Sequence, residues 1–543
     1  MNTNIEIGLL VMIMAIPISM VIIPLLAKWA PVLGMIDNPD PRKVHLSPIP
    51  RVGGPGIVLG ALVPVAIWLP LNDLTLAYLL GSIALLIFGV WDDIKQLGHY
   101  TKFIGQFVAV ILVVYYGDLY VSHIPFFGEI SIQLGKVFTV IAMVGVINAL
   151  NHSDGLDGLA GGEALLSLGA IVYLSFQAND LMLTTISLAT IGGIFGFLRF
   201  NSHPAHVFMG DGGSQFIGFT IAFVVVHLTQ NSNTVLSPAL PLLLIGLPII
   251  DILAVLFQRV YAGMNWFRAS KNHIHHRLLD LGFHHYESVI IIYSVQALLV
   301  ISGVFLQYEA DTLLISIYLL VSLMLFSWLI LAKHLRWQAH RDRKLTMLGR
   351  FITSFNSNSI LMQYNHTLIH ILLSIFIIYS AVNSSNIPKD LSIAAGIVFI
   401  LLLARLIYSF KLWFLFLRLM MYVSVAFAAY LLDFSPATPH GYPLAVYIFY
   451  TVISIAVVIA LKYTTNEKFK VNPLDYLVLM IVVILALLSE QGYANFYTVS
   501  ITIQLIILFY ATEIIIKHMK HRINGLTLSS LFAFGIIALK YFL

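Results

Sequence analysis

The sequence predicts an all-α, polytopic integral membrane bundle, with about eleven transmembrane helices through residue 333 and about seven more after it. Three observations carry that reading. Of the 543 residues, 59% are hydrophobic and only 10% are charged, whereas a soluble domain carries roughly a quarter charged residues. Mean hydropathy is +0.92. Apolar runs of roughly 18–22 residues recur along the whole length, each long enough to cross about 30 Å of hydrocarbon. They are continuous rather than alternating, which argues against membrane strands.

The first apolar run, residues 7–28, has no basic flank before it and no small-residue cleavage site, so it reads as a retained helix rather than a signal peptide. Further helices are expected near 53–71, 74–91, 102–117, 135–151, 158–176, 181–200, 214–229, 238–258, 287–306 and 313–333. A second series is expected near 366–383, 391–409, 413–432, 442–461, 473–489, 497–517 and 526–543. With the N-terminus outside, the inward loops hold all 29 lysines and arginines except Lys136, Lys389 and Lys540. The excess of positive charge on inward loops therefore fixes that orientation. No cysteine is present, which excludes disulfides and thiolate metal sites. No loop carries a basic stripe long enough to follow a nucleic-acid backbone.

The basic stretch His334–Asn365, with Arg336, Arg341, Arg343, Lys344 and Arg350, marks the expected division. Residues 1–333 form a membrane domain dense in polar motifs, 334–365 a cytoplasmic basic linker, and 366–543 an accessory helical region. In the last, acids such as Asp390, Asp433, Asp475 and Glu513 stand singly.

Five polar segments interrupt the apolar chain: Asp37–Gly54, Trp91–Lys95, Asn148–Gly162, Val207–Ser214 and His273–Arg277. All five fall on the inward side, although lysine and arginine alone set the orientation. Carboxylates are costly near a bilayer, so one shared site is the simplest reason for their presence. An isolated pair such as Asp92 and Asp93 more often just ends a helix in solvent. Adjacent carboxylates also point apart, so one can hold a cation while the other orients or deprotonates a nucleophile.

Asn151, Asp154 and Asp157 are more specific. The two acids are three residues apart and would share a face of a helical turn, and Gly155 and Gly158 let a ligand approach the backbone. Asp211 lies in a glycine-flanked loop, where its carboxylate could cap the next helix or reach a Mg²⁺ that keeps waters and phosphate oxygens. Phe208 can stack on a base. His273, His275 and His276 lack the i, i+4 pair with Glu of a helical zinc site. Among Arg268, Lys271 and Arg277 they suit an anion better. His284 and His285 read as ordinary loop residues. Asp251 lies inside a helix, either functional or a buried hydrogen-bond partner. Arg42, Lys43, His45 and Arg51 form an anion cradle among prolines, or simply obey the charge rule.

Together RKVHLSPIPRVGG, WDD, NALNHSDGLDGLAGG, VFMGDGGS, LPIID and NHIHHRLLDLGF, in this order, resemble the polyprenyl-phosphate N-acetylhexosamine-1-phosphate transferase family. The likeness covers about residues 1–333. The HIHH form is similar to the branch that begins O-antigen, lipopolysaccharide and other cell-wall glycans with GlcNAc-1-phosphate. The resemblance implies transfer of a sugar 1-phosphate from a UDP-N-acetylhexosamine to undecaprenyl or another polyprenyl phosphate, with release of UMP. It implies a multi-pass protein of the bacterial inner membrane with a cytoplasmic site, Mg²⁺ as cofactor (Mn²⁺ as substitute), and no nucleic-acid partner; a homodimer is compatible.

Asp211 would match the family's metal ligand, and Asp92 and Asp93 the pair that positions or activates the lipid phosphate. Asn151, Asp154, Gly155, Leu156 and Asp157 would fall in the nucleotide and catalytic pocket, with Phe208 near the uracil. His273, His275 and His276 would contact the pyrophosphate or sugar. The competing readings are a UDP-MurNAc-pentapeptide phosphotransferase and, from another class, a transporter of an anion.

Overall fold

The computed structural model describes residues 3–39, 47–95, 97–264, 272–339, 359–384, 389–407, 444–463 and 523–540, with parts of 421–431 and 504–516. Thirteen α-helices are found before residue 340 among the described residues. They are α1 (Thr3–Leu33), α2 (Gly53–Trp68), α3 (Asp73–Lys95), α4 (His99–Ile111), α5 (Ile132–Ser153), α6 (Leu159–Gln177), α7 (Leu181–Asn201) and α8 (Gly210–His227), then α9 (Leu240–Ile245), α10 (Leu247–Tyr261), α11 (Ile274–Asp280), α12 (His285–Phe305) and α13 (Asp311–His334). After them come α14 (Ser359–Asn383), α15 (Lys389–Ile407), α16 (Leu444–Tyr463) and α17 (Ile523–Lys540). Nine helices among the described residues are long and apolar enough to span a membrane. The all-α polytopic membrane class therefore holds.

The chain divides into two compact units, Met1–Arg341 with Asn472–Met480, and Asp342–Val471 with Ile481–Leu543. In the first, α8 is the axis: α2, α3, α5 and α7 pack around it, and 89% of its apolar window is buried against 22% for α13. The helices meet closely because small residues face each other, as membrane packing without a hydrophobic drive requires. A Cβ on Gly89 of α3 would lie 2.2 Å from the Gly212 Cα of α8. That contact brings the acids at the ends of α3 and α8 into one place. In the second unit, α14 packs on α16 and α17, and α15 on α17, around an apolar core that includes Leu373, Phe376, Ile453 and Phe534.

Several expectations change in detail. The helix expected over 238–258 is broken at Gly246, whose φ of +41° favours glycine. Broken backbone at membrane depth needs new hydrogen-bond partners, and Gln296 of α12 supplies them. Its Oε1 accepts from Leu247 N–H (2.8 Å) and its Nε2 donates to Leu244 O (3.1 Å). The helix expected over 102–117 ends in a π-helical turn, Leu112–Tyr116, and α8 continues through another, Leu228–Ser232. Two short antiparallel hairpins were not foreseen, Ile36–Asp37 with Ile49–Pro50 and His123–Ile124 with Gly128–Glu129. Two-residue strands leave no periodic trace in a sequence. Of the expected linker 334–365, residues 340–358 lie outside the described residues, and α14 already begins at Ser359. The helices expected over 413–432, 473–489 and 497–517 lie wholly or largely outside them.

Candidate active site

The ends of α3, α5, α7 and α8, the α5–α6 turn and the β1–β2 hairpin (Ile36–Asp37, Ile49–Pro50) surround a cavity of about 700 Å³. Its lining includes Asp92, Asp93, Asn151, Asp154, Gly155, Leu156, Asp157, Phe208, Asp211, His276 and Arg51. All five polar segments thus contribute to one cavity. Lys43 and His45, with Arg42, lie outside the described residues.

Backbone pairing fixes one wall. Phe208 N–H donates to Pro50 O (2.8 Å), Gly53 N–H to Phe208 O (3.0 Å) and Gly54 N–H to Met209 O (2.7 Å). The segment after the hairpin is thereby tied to the entry of α8, which sets Phe208 and Arg51 on the same rim. Arg51 pairs with Asp37 of the first strand.

Asp211 sits in the first turn of α8, not in the loop before it. Its carboxylate gains there from the helix dipole. Lys102 of α4 bridges two acids, its Nζ lying 2.5 Å from Asp211 Oδ2 and 2.8 Å from Asp92 Oδ2. Asp211 N–H donates to Asp93 Oδ1 (3.2 Å), while Asp93 Oδ2 is buried without a hydrogen-bond partner. Asn151 Nδ2 donates to Ser214 Oγ (2.8 Å) and reaches Asp211 Oδ1 at 3.4 Å. Two carboxylates sharing one ammonium, with a third beside them that keeps an orphaned oxygen, form a hard oxygen donor set. That set fits Mg²⁺, which favours carboxylates together with waters and phosphate oxygens.

Asp154 and Asp157 do not share a helix face, because α5 ends at Ser153 and α6 starts at Leu159. The turn between them presents both to the cavity instead. Burial, then repulsion from Asp211 and Asp157, pushes the Asp154 carboxyl up to about 7, against the pull of Arg51. The two acids differ in environment. Burial opposes the charged form of Asp157 too, but His203, His285 and the Ala205 N–H outweigh it and hold this carboxyl below its ordinary range.

The histidine segment departs from expectation. His273 caps α11, and His275 and His276 lie in its first turn. Only His276 lines the cavity. His273 is buried with its Nδ1 2.7 Å from Asp251 Oδ2, and Asp251 Oδ1 accepts from Ile274 N–H (2.8 Å). Asp251 is therefore the buried partner that orients this segment. His275 packs beneath Gly155, where a Cβ would lie 2.3 Å from its Nε2. Burial, then the neighbouring His276, pushes its pKa down to about 3, so it is a neutral spacer rather than a cation. His273 and His275, expected as substrate contacts, lie behind the cavity wall, where they support the α5–α6 turn and His276.

Sequence reasoning passed over two wall residues, and it raised a third, Lys102, as a phosphate contact without separating that role from the charge rule. His285, read as a loop residue, begins α12 and lines the cavity, as does His203, and Lys102 is the bridging cation. Lys102 carried a signal, standing nine residues after Asp93 on the next helix. His203 and His285 come together from opposite ends of 82 residues, with nothing periodic to announce it.

Fold and cavity define a multi-pass helical membrane protein with one acid-rich site at its helix ends. The sequence profile described as Glycosyl transferase family 4 matches residues 75–229. The probable undecaprenyl-phosphate N-acetylglucosaminyl 1-phosphate transferase of Bacillus subtilis (strain 168) is 32% identical over 316 residues, 57% of this chain and 87% of that protein. The undecaprenyl-phosphate alpha-N-acetylglucosaminyl 1-phosphate transferase of Escherichia coli (strain K12) is 31% identical over 293 residues, 52% of this chain and 79% of that protein. The decaprenyl-phosphate N-acetylglucosaminephosphotransferase of Mycobacterium tuberculosis (strain ATCC 25618 / H37Rv) is 34% identical over 294 residues, 48% and 73% respectively. The chain belongs to this family of polyprenyl-phosphate N-acetylhexosamine-1-phosphate transferases, and phosphoglycosyl transfer onto polyprenyl phosphate is its general reaction.

Proposed function

We propose that the protein transfers GlcNAc-1-phosphate from UDP-GlcNAc to undecaprenyl phosphate at the cytoplasmic face, releasing UMP and beginning a cell-envelope glycan. The observation that carries this reading is the convergence of Asp92, Asp93, Asp154, Asp157 and Asp211 with Lys102 and Arg51 on one cavity. Both substrates are anionic at the reacting end, and an isoprenoid acceptor stays in the bilayer beside such a site. The choice of sugar follows the relatives, which are named for N-acetylglucosamine.

Asp211 and Asp93 would hold Mg²⁺, which when bound offsets the negative charge gathering on the transferred phosphoryl group. Lys102 then serves the phosphates rather than the carboxylates, since its ammonium already stands between Asp92 and Asp211. Asp92 orients the acceptor phosphate; its Oδ1 is anchored by Leu97 N–H (2.7 Å), which leaves one oxygen for that task. Asp154, with its raised pKa, accepts or releases a proton near neutrality. Asn151, Gly155, Leu156, Asp157 and Phe208 hold the uridine end, and His276 with Arg51 faces the pyrophosphate and sugar.

The test is UMP release by purified protein in detergent, with UDP-GlcNAc, UDP-GalNAc and UDP-MurNAc-pentapeptide supplied in parallel. UMP should appear from UDP-GlcNAc alone, and only with polyprenyl phosphate and Mg²⁺ present. Release that survives EDTA defeats the metal assignment, and release from a different donor overturns the sugar.

A further inference from the structure

Asp157 is held through both its carboxylate and its backbone. Its Oδ2 lies 2.6 Å from His203 Nδ1 and accepts from Ala205 N–H at 3.1 Å. Its own N–H donates to His285 Nε2 (3.0 Å). The two imidazoles stack, with ring centroids 4.0 Å apart and planes 16° from parallel. The next residue is held as well: Gly158 N–H donates to Asn201 Oδ1 (2.8 Å), and the Tyr293 phenol O–H donates to Gly158 O (2.7 Å).

Asp157, His203 and His285 also bring three metal-ligand atoms within 4.8 Å of one another. Ring orientation argues against an ion. Imidazole lone pairs lie in the ring plane, and two planes stacked in parallel cannot both aim at one point about 2 Å from each nitrogen. Hydrogen bonding accounts for the cluster without a metal.

The tautomers follow from the bonds. His285 accepts the Asp157 N–H at Nε2, so its proton is on Nδ1. A carboxylate has no proton to give, so His203 donates from Nδ1 to Asp157 Oδ2. Both contacts to that carboxylate fall on Oδ2, and Oδ1 takes part in neither. His203 therefore turns a freely rotating carboxylate into one with a fixed oxygen and a fixed charge, and His285 fixes the backbone beneath it.

Resting on the nucleotide role given to Asp157 above, we infer that His203 and His285 are positioning residues for donor binding: His203 sets the Asp157 carboxylate through Nδ1, and His285 sets its backbone through Nε2. The two roles use different ring atoms, which makes them separable. An asparagine amide nitrogen takes the place of Nδ1, whereas a glutamine amide oxygen takes the place of Nε2.

The experiment is calorimetric titration of UDP-GlcNAc into the full-length chain in detergent with Mg²⁺ and no acceptor lipid. His203→Ala and His285→Leu should each weaken binding about tenfold, the loss expected when a hydrogen bond at a charged, partly buried site goes unmade. His203→Asn and His285→Gln should recover most of the affinity, while His203→Gln and His285→Asn should not. In an Asp157→Ala background, His203→Ala should have no further effect. A purely structural role would follow side-chain size and would not show this crossed pattern. Equal recovery by Asn and Gln at either position, or undiminished binding in His203→Ala, overturns the inference while wild-type binding stands. Failure of the wild type to bind UDP-GlcNAc removes the donor assignment, and this inference with it.

Discussion

Acids at the two ends of the same helices are treated in opposite ways. Away from the cavity, each has its own partners. Asp180 caps α7, accepting from Leu183 N–H (2.9 Å) and Ser232 Oγ (2.6 Å) with His227 Nε2 at 3.3 Å. Asp118 pairs with Lys136 at 2.7 Å, and Asp311 accepts from Ser237 and from Ala239 N–H (3.3 Å). At the cavity, Asp92 and Asp211 share one ammonium, and Asp93 keeps a buried oxygen without a partner. The pKa values diverge accordingly. Asp154 is pushed up to about 7, chiefly by burial. Asp180 falls to about 2, because hydrogen bonds from His227 and Leu183 N–H outweigh its burial. Satisfied acids stabilise helix ends, whereas crowded acids await a cation and an anionic substrate.

The largest effect that would break this contrast is loss of a cavity acid. Asp211→Asn and Asp93→Asn should each cut UMP release at least about a thousandfold, as removal of charge-stabilising groups does, while the protein stays inserted and monodisperse. Near-normal turnover in purified Asp211→Asn would place the reaction elsewhere.

The pH dependence comes next in size. If Asp154 acts as a base, kcat/KM for the donor should rise with pH and level off above about 7, and Asp154→Asn should abolish that limb. Stability should run the opposite way. An acid raised from 3.8 to about 7 by folding makes the native state progressively less stable as pH climbs through that window. Asp154→Asn should therefore melt higher than wild type at pH 8 and show little gain near pH 4. A lower melting temperature at pH 8 would mean that Asp154 is structural.

A chain ending at Arg341 should retain turnover per folded molecule, because every described cavity residue precedes that point. An intact, monodisperse truncation with no activity would show that residues after Arg341 help build the site.

The smallest effect is expected at the opposite end. Asp180→Asn should cost about 1–2 kcal/mol, the range of a lost cap with a charge-assisted bond, with turnover unchanged. The folded-state pKa is depressed, so this contribution is present above the ordinary 3.8 and is lost as pH falls toward about 2. A drop in turnover without a drop in melting temperature would erase the distinction between the two ends.

Much of this was legible in the chain. Long apolar runs mark helices because a bilayer offers no partner for free backbone groups, and acids beside such runs need a compensating cause. Asp92, Asp93, Asp154, Asp157 and Asp211 could be singled out for that reason alone. The break at Gly246 was harder, since Gly-Leu-Pro within an apolar stretch reads equally well as a continuous helix until Gln296 is seen to satisfy it. The histidine segment was located but its parts were not sorted, because which of His273, His275 and His276 faces inward depends on where a seven-residue helix lies.

The sequence by itself determined the membrane class, the run of helices and the residue types of the site, because each follows from solvation along a local stretch of chain. Only the tertiary structure decided which polar groups meet. Lys102 reaches Asp211 across 109 residues, Asp251 meets His273 across 22, and His285 accepts from Asp157 across 128. Those pairings depend on how helices pack, and packing is a property of the whole bundle that no local pattern encodes.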